Sequence, residues 1–306
     1  MTHDHRHDHG AQATNRTRLT VAFAITAGIL IAEIIGAIWT HSLALIVDAG
    51  HMLTDAGGLA VALLAAHLMT RPATDRRTWG FARAEVLAAT AQAAVLFAVG
   101  LFVVVQAIQR LIAPPEIEST GLLIFGIIGL AGNLVSIMVL AGGRSDNFNL
   151  RAAFLEVIND ALGSVAVIVA AIVIAFTGWE RADSVAAILI GALILPRAAI
   201  LLRDTVNVLL EATPTELDLD AVRGHLLDVE HVHAVHDLHA SQIASGLPVL
   251  SAHIVVDERC FADGHAPQIL DQLQSCVADH FPVSVEHSTF QLEPTGHQQH
   301  EHVPHG

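Results

Sequence analysis

Hydrophobic positions gather in six long runs separated by short polar breaks: Leu19–Trp39, Leu43–Met69, Ala84–Leu111, Gly121–Leu140, Ala152–Phe176 and Ser184–Leu202. Each is close to the ~20 apolar residues a helix needs to cross a hydrocarbon core. "GLLIFGIIGLAGNL" in the fourth run is rich in small residues, which suits close helix packing.

After the sixth run the pattern changes. "EATPTELDLD" breaks the apolar sequence, with Pro214 just past a helix end and Thr215 or Asp218 as candidate caps for the next helix. "AVRGHLLDVEHV" has amphipathic helical spacing. "AVHDLHASQI" and "LPVLSAHIVVD" read as strands joined by a turn at Ser245-Gly246. "APQILDQLQSCVADHF" returns to helical spacing, and "PVSVEHSTFQLEP" alternates like a strand. The order α-β-β-α-β predicts a small ferredoxin-like α+β domain, with helices on one face of a three-stranded sheet. The expected organisation is a histidine-rich tail over 1–18, a six-helix transmembrane domain over 19–208, the α+β domain over 209–294 and a second histidine-rich tail over 295–306.

Composition agrees with a membrane protein: 53% of residues are hydrophobic and 15% charged, against roughly 25% charged in soluble domains. The start, "MTHDHRHDHG", is polar instead of basic then apolar, so no cleavable leader is expected. The cationic residues are all arginine. Arg6, Arg16 and Arg18 precede the first run; Arg71, Arg76, Arg77 and Arg83 surround the second loop; Arg144 and Arg151 flank the fourth, and Arg203 follows the last run. The positive-inside rule then puts both termini in the cytoplasm, and the expected location is the cell's inner (plasma) membrane. Cys260 and Cys276 face a reducing compartment, and no disulfide is expected. The net charge of −15 arises mostly after Leu210 and argues against nucleic acid as a partner.

Polar residues inside the apolar runs carry the chemistry. "DAGHMLTDAGG" in the second run places His51 and Asp55 at i and i+4, on one helix face. "FLEVINDALGS" in the fifth repeats that spacing with Glu156 and Asp160. Two such helices facing each other offer one imidazole and three carboxylates to one point, and four N/O ligands suit tetrahedral Zn²⁺. Each charge at mid-membrane costs at least about 2.5–3.5 kcal/mol. A divalent cation or bound protons offset that cost. Asp48, one turn before His51, is assigned to the pathway beside this quartet, as is Asn159. Glu33 and Asn133 are single polar residues for which interhelical hydrogen bonding is expected.

"AEIIGAIWTHSLALIVDAGHMLTDAGGLAVAL", "WGFARAEVLAA", "LEVINDALGSVAVIVAA", "RDTVNVLLEATP" and "VHAVHDLHA" together resemble the cation diffusion facilitator family of proton-coupled divalent-metal exporters, from about Thr20 to Pro294. The resemblance implies a homodimer and a transport site at His51, Asp55, Glu156 and Asp160. Zinc exporters of that family usually have His where this chain has Glu156, so Mn²⁺, Co²⁺, Cd²⁺ and Fe²⁺ join Zn²⁺ as expected substrates. A second family site in the loop after the second helix falls on Phe81, where no metal is expected; Arg83 and Glu85 serve packing or an ion pair. In the α+β domain the resemblance points to His236, His253 and Glu293. His287 shares Glu293's strand parity but lies six residues away, about 20 Å along a strand, so it joins the same ion only if the strand bends. His239 has the opposite parity from His236 and is left out. The tails "HDHRHDHG" and "HQQHEHVPHG" suit loose capture of metal.

The function these readings imply is export of Zn²⁺ or a similar ion from the cytoplasm, with divalent ions, protons and the bilayer as partners. The rival is a membrane-embedded metalloenzyme, since facing carboxylate/His pairs also build di-metal sites. No H-E-x-x-H accompanies the pairs, and no span has the regular arginine series of a voltage sensor.

Overall fold

The computed structural model describes residues 6–141 and 148–297, with side chains from Thr20 onward except at 59, 62, 63, 66 and 148–153. The outer parts of both histidine-rich tails, Arg144 and the side chains of Arg6, Arg16, Arg18 and Arg151 lie outside this set.

Six long helices come first: α1 (Arg6–Thr40), α2 (Leu43–Met69), α3 (Ala84–Ile112), α4 (Ser119–Ala141), α5 (Phe148–Thr177) and α6 (Arg181–Leu209). The helical backbone of α1 starts at Arg6, inside the segment expected to be a polar tail. Among the described residues five stretches are long and apolar enough to cross a membrane: Thr20–Thr40, Ala84–Ile112, Ser119–Ala141, Phe154–Thr177 and Arg181–Leu209. α2 equals them in length and carries Asp48, His51 and Asp55. Outward-facing side chains such as Ile31, Ile38, Phe102, Met138 and Phe176 are exposed, as a lipid-facing surface requires.

α4 packs along both α1 and α5. Its small residues permit this. A Cβ at Gly126 would stand 2.9 Å from Ile168 of α5, and one at Gly132 would stand 2.6 Å from Ile29 of α1. Without water between helices, such close backbone approach supplies much of the association. One core joins Ala37, Leu43, Leu45, Val103, Leu122, Val167, Ala171 and Ala187.

The start of α2 is held from α6. Ser42 Oγ accepts from Leu45 N at 3.2 Å, as an N-cap should, and itself donates to the buried Asp183 carboxylate. Asp183 Oδ2 also accepts from Leu43 N at 2.7 Å. A carboxylate on the free N–H groups of a helix start satisfies donors that lipid cannot.

The C-terminal part forms α7 (Leu219–Leu227), β1 (Val232–Ala244), β2 (Leu247–Val256), a short α8 (Cys260–Asp263), α9 (Ala266–Asp279) and β3 (His287–Pro294). Asp218 caps α7 by accepting from Asp220 N and Ala221 N. That helix ends at Leu227, earlier than its amphipathic pattern suggests, because the chain must turn through His231 at φ 72° to enter β1. The sheet order is β1-β2-β3, antiparallel then parallel. Gly246 at φ 70° makes the β1–β2 turn. Val222 and Leu226 of α7, Ile269, Leu273 and Val277 of α9, and Leu250, Ala252, Ile254 and Val256 of β2 fill one core. His253 alternates out of it.

Contacts divide the chain into two compact units. One holds α1–α6 apart from some helix ends; the other joins Val61–Ala91 to the segment from Leu201 onward. In the second unit the Arg77 guanidinium lies 4.3 Å from the Phe81 ring centroid, and Arg83 pairs with Glu211 at 2.7 Å.

Candidate metal centre

His51 is the hub of the first cluster. Its Nε2 lies 3.5 Å from Asp55 Oδ2, 3.4 Å from Glu156 Oε1 and 3.9 Å from Asp160 Oδ1. Donors about 2.1 Å from a tetrahedral ion stand about 3.4 Å apart. The distances from His51 Nε2 are close to that value; ligand atoms of His51, Glu156 and Asp160 lie within 4.8 Å of one another, while Asp55 stands outside that group. His51 and Asp160 are buried, while Asp55 and Glu156 keep side-chain exposures of 31% and 27%. Asp160 Oδ1 has no hydrogen-bond partner.

Arg197 is the member that the sequence reading passed over. Its Nη2 donates to Glu156 Oε2 at 2.9 Å. It is the one arginine inside the apolar run Ser184–Leu202, next to Pro196, and that isolation was the available signal.

Behind the quartet lies a second polar layer. Asp48 is buried, and the carboxyl of the buried Glu33 of α1 lies beside it. A Cβ at Gly163 would stand 2.9 Å from Asp48 Oδ1, so the glycine makes room for the carboxylate. Asn133 Nδ2 donates to Ser164 Oγ at 3.3 Å, and Ser136 is buried on the same helix as Asn133. Asn133 thus makes the interhelical hydrogen bond its isolation suggested, while Glu33 Oε2 has no hydrogen-bond partner. Asn159 is exposed. One residue along a helix turns the side chain by about 100°, which takes Asn159 away from the face of Asp160.

A separate cluster stands on the sheet. His236 and His253 are direct cross-strand partners, with ring centroids 5.1 Å apart. Glu293, buried, places Oε2 3.3 Å from His236 Nε2 and Oε1 2.9 Å from His253 Nδ1. Gln291 Nε2 donates to Glu293 Oε1 at 2.7 Å and orients it. His287 is not with them. It pairs in register with Val249 and packs edge-on against Trp79, because β3 does not bend enough to undo six residues of separation.

The parity reading of His239 needs correction. A β-bulge between His236 and His239 inserts an extra residue, with Asp237 at φ 51°. His239 then opposes Ser251, two residues from His253, and so shares the face of His236. Asp237 bridges His239 at 3.1 Å and His253 at 3.8 Å.

Apolar helices that bring three carboxylates to one imidazole mark a multi-pass membrane protein with a candidate cation site. The chain belongs to the cation efflux family: residues 19–210 match the family's transmembrane domain, and residues 214–295 match the cation efflux protein cytoplasmic domain. It is a cation transporter, not an enzyme, which sets the metalloenzyme reading aside. It is 44% identical to the metal cation efflux system protein CzcD of Cupriavidus metallidurans, over 94% of this chain and 89% of that one. It is 38% identical to the zinc transporter ZitB of Escherichia coli and to the cadmium, cobalt and zinc/H⁺-K⁺ antiporter of Bacillus subtilis, each over 96% of this chain and 93% of theirs.

Proposed function

We propose that this chain exports Zn²⁺, or a divalent transition ion of similar size, from the cytoplasm in exchange for protons, and that His51, Asp55, Glu156 and Asp160 hold the ion. The observation that carries this is the convergence of three carboxylates on His51 Nε2 within 3.4–3.9 Å. Unneutralised, such a group repels itself and resists burial; with an ion at its centre, both costs fall.

Charge sets the stoichiometric logic. Three carboxylates and a neutral imidazole carry −3, the Arg197 guanidinium beside Glu156 adds +1, and a divalent ion brings the total to zero. In the ion's absence protons on the same lone pairs do the same work. Metal and protons therefore compete for one site, which couples their movement in opposite directions. The relatives' names mention zinc, cadmium and cobalt, which fits a site with one nitrogen and three oxygens. The oxygen-rich set also admits Mn²⁺ and Fe²⁺.

Both termini lie in the cytoplasm of a plasma-membrane protein on this reading, and the C-terminal domains pair the chain as a homodimer. His236, His253 and Glu293 hold a regulatory ion there, with Glu293 shared between two imidazoles.

The test is uptake into vesicles containing purified protein under a proton gradient, with Zn²⁺, Cd²⁺, Co²⁺, Mn²⁺ and Fe²⁺ compared. Metal-dependent proton movement is expected in the wild type and absent in Asp160→Ala. Equal flux in the variant would overturn the assignment of the quartet.

A further inference from the structure

Away from both clusters, the far end of the sheet gathers four more ligand-type side chains. β1 starts and β2 ends side by side, with Val232 paired to Val256. Asp257 N donates to His231 O at 3.2 Å and extends that ladder by one rung. The Asp257 carboxylate then takes one imidazole on each oxygen: His231 Nδ1 at 3.0 Å from Oδ2, and His233 Nε2 at 2.8 Å from Oδ1. Arg259 Nη2 also donates to Oδ2, at 3.1 Å. His233, Arg259 and His231 hold the Asp257 carboxyl below the usual carboxylate range.

Cys260 completes the group. Its thiol is buried, and ligand atoms of His231, Asp257 and Cys260 all lie within 4.8 Å of one another. The backbone is built to keep it there: Cys260 N donates to Asp257 O at 3.0 Å, and His231 is held at φ 72°. A left-handed histidine is costly unless its surroundings fix it. Hydrogen bonding alone accounts for Asp257 and the two imidazoles. It gives no reason for a sulfur beside them.

We infer that His231, Asp257 and Cys260, with His233 as the nearest fourth donor, form a second metal site of the C-terminal domain, selective for thiophilic divalent ions such as Zn²⁺, Co²⁺ or Cd²⁺. A sulfur with imidazole nitrogens favours these over Mn²⁺, Mg²⁺ or Ca²⁺. The site is separate from the His236 cluster. Four residues along β2 divide Asp257 from His253, about 13 Å of strand, so one ion cannot serve both. Binding would displace the imidazole–carboxylate hydrogen bonds and the thiol proton, and would clamp α8 to the sheet end. The inference does not rest on the transport reading, because none of its ligands belongs to the quartet.

The experiment is titration of Co²⁺ into the purified full-length protein in detergent, following the ultraviolet charge-transfer band that only a thiolate ligand produces. The band is expected in the wild type, in Cys276→Ser and in Asp160→Ala. It should vanish in Cys260→Ser. In His231→Ala the Co²⁺ concentration for half-development should rise at least about tenfold, since even outer partners of metal ligands are worth roughly 10–100-fold. Absence of the band in the wild type, its survival in Cys260→Ser or its loss in Cys276→Ser would each overturn the site.

Discussion

The membrane quartet and the sheet trio both offer imidazole and carboxylate, yet they differ in access and support. The quartet stands on two helices, keeps Asp55 and Glu156 partly open, and has the exposed Arg197 guanidinium paired with Glu156. The trio stands on three neighbouring strands and closes over Glu293, whose side chain is 1% exposed and anchored by Gln291. A site that must release its ion needs weak, exchangeable contacts and an opening. A site that must keep its ion needs fixed ligands and supporting hydrogen bonds. The difference between the two clusters is one of support and access more than of ligand type.

The largest effect should separate the two outright. Asp55→Ala removes an oxygen donor from the quartet, and vesicle flux should fall to background while Co²⁺ binding by the C-terminal domain of the same full-length protein stays unchanged. Loss of both together would mean that the two clusters are not independent.

Glu293→Gln comes next. It keeps size and hydrogen bonding but removes the charge shared by His236 and His253. Metal binding measured in an Asp160→Ala background should weaken by about 10–100-fold. Transport by Glu293→Gln alone should be reduced, not lost. Unaltered binding would show the trio to be a hydrogen-bonded packing cluster.

Glu156→His probes ligand type. It changes the quartet to two nitrogens and two oxygens and its formal charge from −3 to −2. Zn²⁺ should gain on Mn²⁺ in competitive transport at one pH, because imidazole suits zinc and carboxylate suits manganese. An unchanged ratio would remove Glu156 from the ion's direct ligands.

The smallest effect belongs to Arg197. Its side chain is largely exposed, so its pairing with Glu156 is worth under about 1 kcal/mol. Arg197→Gln should lower the half-saturating metal concentration by no more than about fivefold. A rise in that concentration would mean that the guanidinium orients Glu156 for the ion instead of competing with it.

What the chain disclosed in advance follows the range of the interactions. His51/Asp55 and Glu156/Asp160 share helix faces by spacing alone, and the three strands alternate visibly. Which helices touch is a long-range matter. Nothing local says that Asp183 of α6 caps α2, that Glu33 meets Asp48, or that Gly163 vacates space for it. Apolar helices look alike on all sides. His239 was misplaced for a different reason: parity counting assumes an unbroken strand, and the bulge at Asp237 reverses the faces from there to the next register shift after Gln242. The extension of α1 to Arg6 is also invisible to a hydropathy count, which stops where polar residues begin.

The central claim is that four named side chains bind the transported ion directly, and zinc-edge X-ray absorption reads that shell. The protein for it carries His236→Ala, His253→Ala and Cys260→Ser, loaded with one Zn²⁺ per chain, so that the quartet is the remaining strong site. The predicted spectrum is four nitrogen or oxygen neighbours at about 2.0–2.2 Å with the outer-shell signature of a single imidazole. Two or more imidazoles, or a sulfur neighbour, would contradict the account.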